Sequence, residues 1–433
     1  MIYTNAVKMI HTAPRQAEPS EVRERLHALW SLLNLPRKNQ KYLRLAGVCG
    51  KSACLELLAS IYEDSPVTVG CLSMPLRAEF RENIRINNRL LSFEEITPYA
   101  EQVHRAIKVL KRSAQTEPVA DPSDEEKAPP VIDTDFSQHE LLLTVALLIF
   151  ADRGCKLCVI ESDGTPHDPT RYLPAPMLLT LCGPIRGEDP EEIHGIQRYA
   201  RHGILELICS ISGEKSYQAI SQICAKINCR LTQAPMKDVR IDSMTPRECA
   251  FLYHGEEYRT NLCGKFQIQN LILVIETVQA LGRLGFPVSR EVLRERLEGA
   301  KLPCRCEILS VSPTIVVDGS PHPSAWEQVC DSLWDFRLAT GTRVHLCAPE
   351  ELADTAREIF SSKGYEVLSV FTLPEEDVTR HLVPQKRYGQ LKQIKEFIGT
   401  ALKTLENGDL LYLCGPHNFT ARLRHELLQQ LGL

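Results

Sequence analysis

Tyr42 to Tyr62 reads YLRLAGVCGKSACLELLASIY, and this stretch organises the rest of the chain. Tyr42, Leu43 and Leu45 give an extended segment rich in aromatic and branched residues. A turn follows at Gly47-Val48-Cys49-Gly50, then a helical pattern with Leu55, Leu58 and Ile61 on one stripe. Strand, glycine turn and helix is the setting in which backbone N–H groups and a helix N-terminus cradle phosphate oxygens. Gly47 and Gly50 would shape that cradle, Lys51 would neutralise the outer phosphates, and the Ser52 hydroxyl would reach a magnesium ion. Leu45 stands where the first glycine of the common GxxxxGK[ST] loop belongs, so the spacing is not the common form. A plain turn entering a helix is the alternative reading; the flanking strand and helix favour nucleotide binding.

Composition sets the frame around this loop. The chain has 433 residues, 43% hydrophobic and 24% charged, with a net charge of -5. That is enough for two or three domains with real cores, and the acidic balance gives no electrostatic reason to expect nucleic acid. The longest apolar run, Leu141 to Phe150, is too short to span a bilayer, and the N-terminus has no secretory pattern. A cytoplasmic protein that works neither on membranes nor on nucleic acid is expected. The 16 cysteines are scattered through apolar segments, as reduced, buried thiols would be. Cys155 and Cys158 form a CxxC, but no second pair stands at zinc-ligand spacing.

Along the chain, a helix is expected over Glu21–Leu33 with Ser20 as its cap. After the phosphate loop and its helix come the strand segment VTVGCLSM, a polar loop, a strand turning at Asn87-Asn88, and a helix capped by Ser92. Residues 114–135 turn abruptly to Pro, Asp and Glu, which predicts a mobile acidic insertion. The apolar helix HELLLTVALLIF then leads to a buried strand, CKLCVIE, which places Glu161 and Asp163 at its carboxyl end. Ligands bind at that end in open α/β sheets. Further alternation of strands and helices predicts a P-loop-containing, doubly wound α/β domain over residues 1–300. A long helix is expected from about Ile268. The pattern restarts to give a smaller α/β domain over residues 301–433, through TIVVDGS, TRVHLCAPE, EVLSVFTL and DLLYLCG.

The order of these segments resembles the folylpolyglutamate synthase and dihydrofolate synthase family, relatives of the Mur ligases. LNLPRKNQKYLRLAGVCGKSA is similar to the family's Leu-Gly-x-Pro turn, strand and Gly-Thr-Asn-Gly-Lys-Gly-Ser loop. ENIRINNRLLSFEEI resembles its Glu-Arg-Ile-Arg-Ile-Asn-Gly segment, and VIESDG its Val-x-Glu-Val-Gly strand end. FQIQNLILVIETVQAL, LPCRCEIL and VVDGSPHP resemble the nucleotide-side helix, the Pro-Gly-Arg-x-Glu entry and the Leu-Asp-Gly-Ala-His-Asn-Pro segment. The resemblance implies an ATP-dependent acid–amino-acid ligase. It would activate a folate-type carboxylate as an acyl phosphate for attack by the amine of glutamate. It also implies a monomer acting in one-carbon metabolism. ATP would lie at Gly47 to Ser52, with magnesium on Ser52 and Glu161. Gln267 and Asn270 would contact the nucleotide, while Arg305 and Asp318 would serve from the C-terminal domain.

The departures bear on activity. Where the family has Thr-Ser-Pro-His, this chain has Ser73-Met74-Pro75-Leu76, so a metal-binding serine and a histidine are replaced. The Gly-Gly-Arg-x-Asp-Ala-Thr-Asn run is reduced to TPHDPTR, with Asp168 and Thr170 retained, and the Asp-His metal segment has become LCGPIRGEDPEEI. Arg201 takes the position of a carbamylated lysine; arginine stays protonated and forms no carbamate. His322 is displaced by one position from the family's histidine. The second reading is therefore a catalytically impaired relative that binds nucleotide or a partner without ligating. A stand-alone NTPase or kinase using the same loop is a third.

Overall fold

The structure is a computed structural model that describes residues 8–14, 19–36, 38–74, 77, 80–115, 134–162, 165, 167–185, 190–262, 264–320, 323–335, 342–374 and 387–433. The chain packs as two compact units, one made of residues 1–234 and 276–288, the other of 235–275 and 289–433. The division expected near residue 300 follows the restart of the α/β pattern; by packing, the second unit also takes 235–275 and 289–300.

In the first unit, α1 (Pro19–Leu33) begins one residue before the expected cap, Ser20, as a proline in the first turn allows. Strand β1 (Lys41–Gly47) enters the glycine turn, and α2 (Lys51–Ile61) leaves it. Seven of the eleven α2 residues are buried, more than the single stripe read from the sequence. Next come β2 (Val69–Leu72), β3 (Ile84–Ile86), β4 (Arg89–Leu90) and α3 (Phe93–Gln115). Asn87 and Asn88 both take positive φ, 45° and 59°, in the turn between β3 and β4, where asparagine tolerates the left-handed region. Ser92 and Glu95 form a reciprocal cap on α3: Glu95 N–H donates to the Ser92 hydroxyl at 3.2 Å and Ser92 N–H to the Glu95 carboxylate at 2.7 Å. Most of the acidic insertion expected at 114–135 lies outside the described residues.

Helix α4 (Gln138–Asp152) is buried from Glu140 to Phe150. Strand β5 (Leu157–Glu161), β6 (Leu178–Ile185), α5 (Pro190–Tyr199), β7 (Glu206–Ile211), α6 (Glu214–Ile227) and β8 (Arg230–Gln233) complete the unit's sheet. Its eight strands run in the order β4-β3-β2-β5-β1-β6-β7-β8. All pairs from β2 through β8 are parallel; β3 and β4 add an antiparallel edge. Strand β1 thus runs centrally between β5 and β6, which puts the glycine turn mid-sheet, at the strands' carboxyl ends. One apolar core lies under α1, α3 and α4, and another between β6, β7, α5 and α6.

The second unit opens with a three-stranded antiparallel sheet of β9 (Val239–Met244), β10 (Cys249–Tyr253) and β11 (Glu256–Thr260). Helix α7 (Lys265–Arg283) starts three residues earlier than expected and is divided between the units at Ile275/Glu276. After α8 (Arg290–Glu298) a five-stranded sheet forms in the order β12-β13-β16-β14-β15. Its strands are β12 (Glu307–Val311), β13 (Thr314–Asp318), β14 (Arg343–Pro349), β15 (Glu366–Leu373) and β16 (Leu410–Cys414). Helices α9 (Pro323–Asp335), α10 (Ala353–Ser362), α11 (Arg387–Thr404) and α12 (His417–Leu431) cover it. Two apolar cores line this sheet, one containing Trp326 and Phe360, the other Ile398 and Phe419. Among the described residues no helix is long and apolar enough to cross a membrane.

Candidate active site

The glycine turn is held open by geometry that only glycine satisfies. Gly47 has φ +118°, and a Cβ there would sit 2.1 Å from the Cys182 carbonyl oxygen of β6. Gly50, at φ 81° and with no side-chain cap, is the residue before α2. The N-terminal N–H groups of α2 therefore remain available to an anion, as does the positive end of the helix dipole. Lys51 folds back over the turn, its Nζ donating to the Gly47 carbonyl at 2.7 Å. Leu45, the residue at the missing first glycine, is a buried member of β1 and pairs with Glu161 in β5. The strand has taken the place of the longer loop.

Glu161 lies beside this turn, 2% exposed. The Ser52 hydroxyl donates to its Oε1 at 2.7 Å and the Met74 N–H to its Oε2 at 3.1 Å. Burial raises this carboxyl above its ordinary range, against the opposing pull of Lys51, the Ser52 hydrogen bond and Arg77. Lys51, Ser52 and Glu161 are thus one constellation. Met74 contributes its backbone only; its side chain is packed in the core under α1 and α4. The neighbouring Ser73 hydroxyl is buried and turns to the Asn83 amide and the Glu82 carbonyl instead. Leu76 and His322 lie outside the described residues.

Two basic residues with no motif to mark them join this corner. Arg77 Nη2 and Arg85 hold Glu56 of α2 at 2.8 Å and 2.5 Å. Burial works against the Glu56 charge, but Arg77 and Arg85 outweigh it and hold the carboxyl below its ordinary range. The signal was a basic residue in the polar loop just after β2, in PLRAEF.

Arg201 does not face a metal in the way a carbamylated lysine would. Its guanidinium donates to the carbonyls of Arg171, at 2.8 Å, and Leu173. Asp168 is fully buried and accepts from Ser162 Oγ, from Tyr199 Oη at 3.0 Å and from the Thr170 N–H at 2.8 Å. Arg44 of β1 is buried beside it; burial lowers the Arg44 guanidinium to about 10 even though Asp168 opposes the shift. Asp163 lies outside the described residues.

The remaining candidates meet within the second unit. Gln267 Nε2 donates to the Arg305 carbonyl at 2.9 Å, and Asn270 Nδ2 to Gln267 Oε1 at 3.2 Å. Arg305 donates to the Gly319 carbonyl at 3.3 Å, next to Asp318 at the end of β13. Asp318 accepts from the Ser320 N–H at 2.9 Å and from Tyr412 Oη at 3.3 Å. Burial raises its carboxyl, with Arg305 opposing. Tyr412 is another participant, one aromatic among the apolar residues of β16 with nothing in its pattern to mark it out.

The CxxC cysteines are buried thiols, with Cys155 pushed up to about 12 by burial, as inert structural cysteines would be. Among the described residues no group of three or more His, Cys, Asp or Glu side chains is placed to hold a metal.

No family model matches the chain. Over 339 residues it is 24% identical to a folylpolyglutamate synthase of Lacticaseibacillus casei, covering 75% of this chain and 74% of that protein. The folylpolyglutamate synthase structure of Thermotoga maritima superposes over 99% of this chain and 97% of its own, with a TM-score of 0.73 at 19% identity. One solved as a complex with AMPPCP and folate gives a TM-score of 0.74 at 18% identity, over 99% and 100% of the two chains. The chain therefore shares the fold of these solved structures over nearly its whole length, and in sequence it is similar to folylpolyglutamate synthases.

Proposed function

We propose that the protein is an ATP-dependent acid–amino-acid ligase that joins a folate-type carboxylate to the amine of glutamate. The observation that carries this reading is the grouping of Lys51, Ser52 and buried Glu161 at an open helix N-terminus, mid-sheet. The structure solved with AMPPCP and folate supports ATP as the phosphoryl donor. In this reading the α2 N–H groups and Lys51 hold the outer phosphates. Lys51 leaves the Gly47 carbonyl to do so, and its charge stabilises the phosphoryl group in transfer.

The donor set fits one magnesium ion. A buried carboxylate with a hydroxyl 2.7 Å away is the usual protein share of a magnesium site whose other ligands are phosphates and water. Ser52 and Glu161 would hold it, and it would supply charge neutralisation at the phosphates. The residues do not fit a second ion at Arg201, where a guanidinium is bonded to backbone carbonyls. We assign Gln267, Asn270, Arg305 and Asp318 to nucleotide and substrate binding, a role supported by the hydrogen bonds that link the first three and by the burial of Gln267, Asn270 and Asp318. We also place the enzyme in the cytoplasm, as a monomer that uses small-molecule substrates.

The test is ADP release with MgATP, glutamate and a panel of reduced folates, in the native protein and in Lys51→Ala. Release that needs both folate and glutamate, and is lost in the variant, is expected. ATP binding without any such release would instead establish the impaired relative, a reading favoured by the burial of Met74 in the core and by the backbone-bound Arg201.

A further inference from the structure

We infer that an arginine-lined pocket of the first unit binds a small anion carrying two or more carboxylate or phosphate groups. The pocket is about 340 Å³ in volume. It is bounded by Arg23 of α1, Arg171 and Tyr172 of the turn after Asp168, Arg198 of α5, and Arg201. None of its described lining residues is acidic, and Lys51, Ser52 and Glu161 are not among them. The inference therefore stands on this pocket and is independent of the ligase reading.

Four guanidinium groups line this small space. At Arg201 burial depresses the affinity for the proton, and neighbouring Arg171 depresses it further. Its two terminal nitrogens are fixed on the Arg171 and Leu173 carbonyls, while its buried Nε has no hydrogen-bond partner. A buried donor in that state is satisfied by an acceptor entering the pocket. Asp168 does not supply one; its carboxylate serves Ser162, Tyr199 and the Thr170 N–H. The volume lies at the small end of ligand pockets, which span about 300–1,000 Å³. A compact ligand with several charges fits both the space and the electrostatics, because planar guanidinium forks pair with carboxylate and phosphate oxygens alike.

The test uses the full chain carrying Lys51→Ala, so that the glycine turn does not compete for the probes. Calorimetry with tricarballylate, inorganic pyrophosphate and acetate distinguishes the sources. At least one multivalent anion is expected to bind one-to-one, more tightly than acetate and more weakly as salt is added. Tricarballylate binding marks a carboxylate ligand, and binding of pyrophosphate alone marks a phosphate ligand. Arg23 and Arg198 are exposed, so Arg23→Ala/Arg198→Ala keeps the fold while weakening binding by about tenfold or more. The paired Lys variants, with charge but no fork, should fall between. Multivalent anions binding no better than acetate, or binding unchanged in the Ala pair, overturns the inference.

Discussion

Replacing Glu161 with glutamine should move stability and activity in opposite directions. The side chain is 2% exposed and its two oxygens accept from Ser52 Oγ and the Met74 N–H. Glutamine has the same shape: its oxygen can accept from Met74, and its amide can donate to the Ser52 hydroxyl, which turns to accept. What changes is the charge. Burial outweighs Lys51 and the Ser52 hydrogen bond at this carboxyl, so its proton is held more tightly in the folded chain than in the unfolded one. The folded state then binds more protons, and stability falls as pH rises from the ordinary value of 4.5 through the raised one. Glu161→Gln removes that loss. Above the raised value the variant should be more stable than the native protein, within the about 0.5–2 kcal/mol common for stabilising single substitutions. The advantage should vanish as the pH falls and the native carboxyl protonates.

Activity should fall because the charge that would anchor magnesium is gone. Several kcal/mol of transition-state stabilisation corresponds to about a thousandfold in rate. Chemical-unfolding midpoints across pH, beside ADP release at saturating MgATP, measure both effects. A variant less stable than the native protein at neutral pH, or one retaining turnover to within about tenfold, would refute the reasoning.

Two further perturbations test the frame around the site. Gly47→Ala forces a Cβ to within 2.1 Å of the Cys182 carbonyl at φ +118°, so it should cost more than about 2 kcal/mol and abolish ATP binding. Gly154→Ala, at φ +65° with open space around it, should cost only about 1–2 kcal/mol and leave ATP binding intact. Glu140 is paired with Arg25 at 2.6 Å, both side chains at most 1% exposed. Glu140→Ala removes the carboxylate from the buried Arg25 guanidinium and from the Ser137 N–H, and should destabilise by about 3–5 kcal/mol in urea unfolding. Arg25→Met/Glu140→Leu should recover part of that, because the buried charge is gone while the Ser137 N–H stays unpaired.

Local pattern made much of this molecule legible. Glycines at positions 47 and 50, followed by Lys51 and Ser52, marked the turn between β1 and α2, because a tight passage from strand to helix needs the positive φ that glycine tolerates. The capping pair Ser92/Glu95 and the turn at Asn87-Asn88 were equally readable, since both arise from interactions over three or four residues. The alternation of strand and helix predicted the doubly wound sheet of β1, β2 and β5–β8.

What the chain order left open is what long-range pairing decides. That Glu161 stands opposite Leu45, and so within reach of Ser52, depends on the register of β5 against β1. Met74 stands where the resemblance places a metal-binding serine, yet the folded chain uses its backbone N–H and buries its thioether. The pairings of Arg77, Tyr412 and Glu56 come from a loop, a strand and a helix, each set against its partner by packing. Arg201 could be recognised from its sequence as a fixed cation. Only the tertiary structure turns it onto the Arg171 and Leu173 carbonyls and gathers Arg23, Arg171 and Arg198 around the same pocket. Side-chain chemistry is written in the sequence; burial and partners, which set that chemistry's electrostatics, exist only once the sheet has closed on its helices.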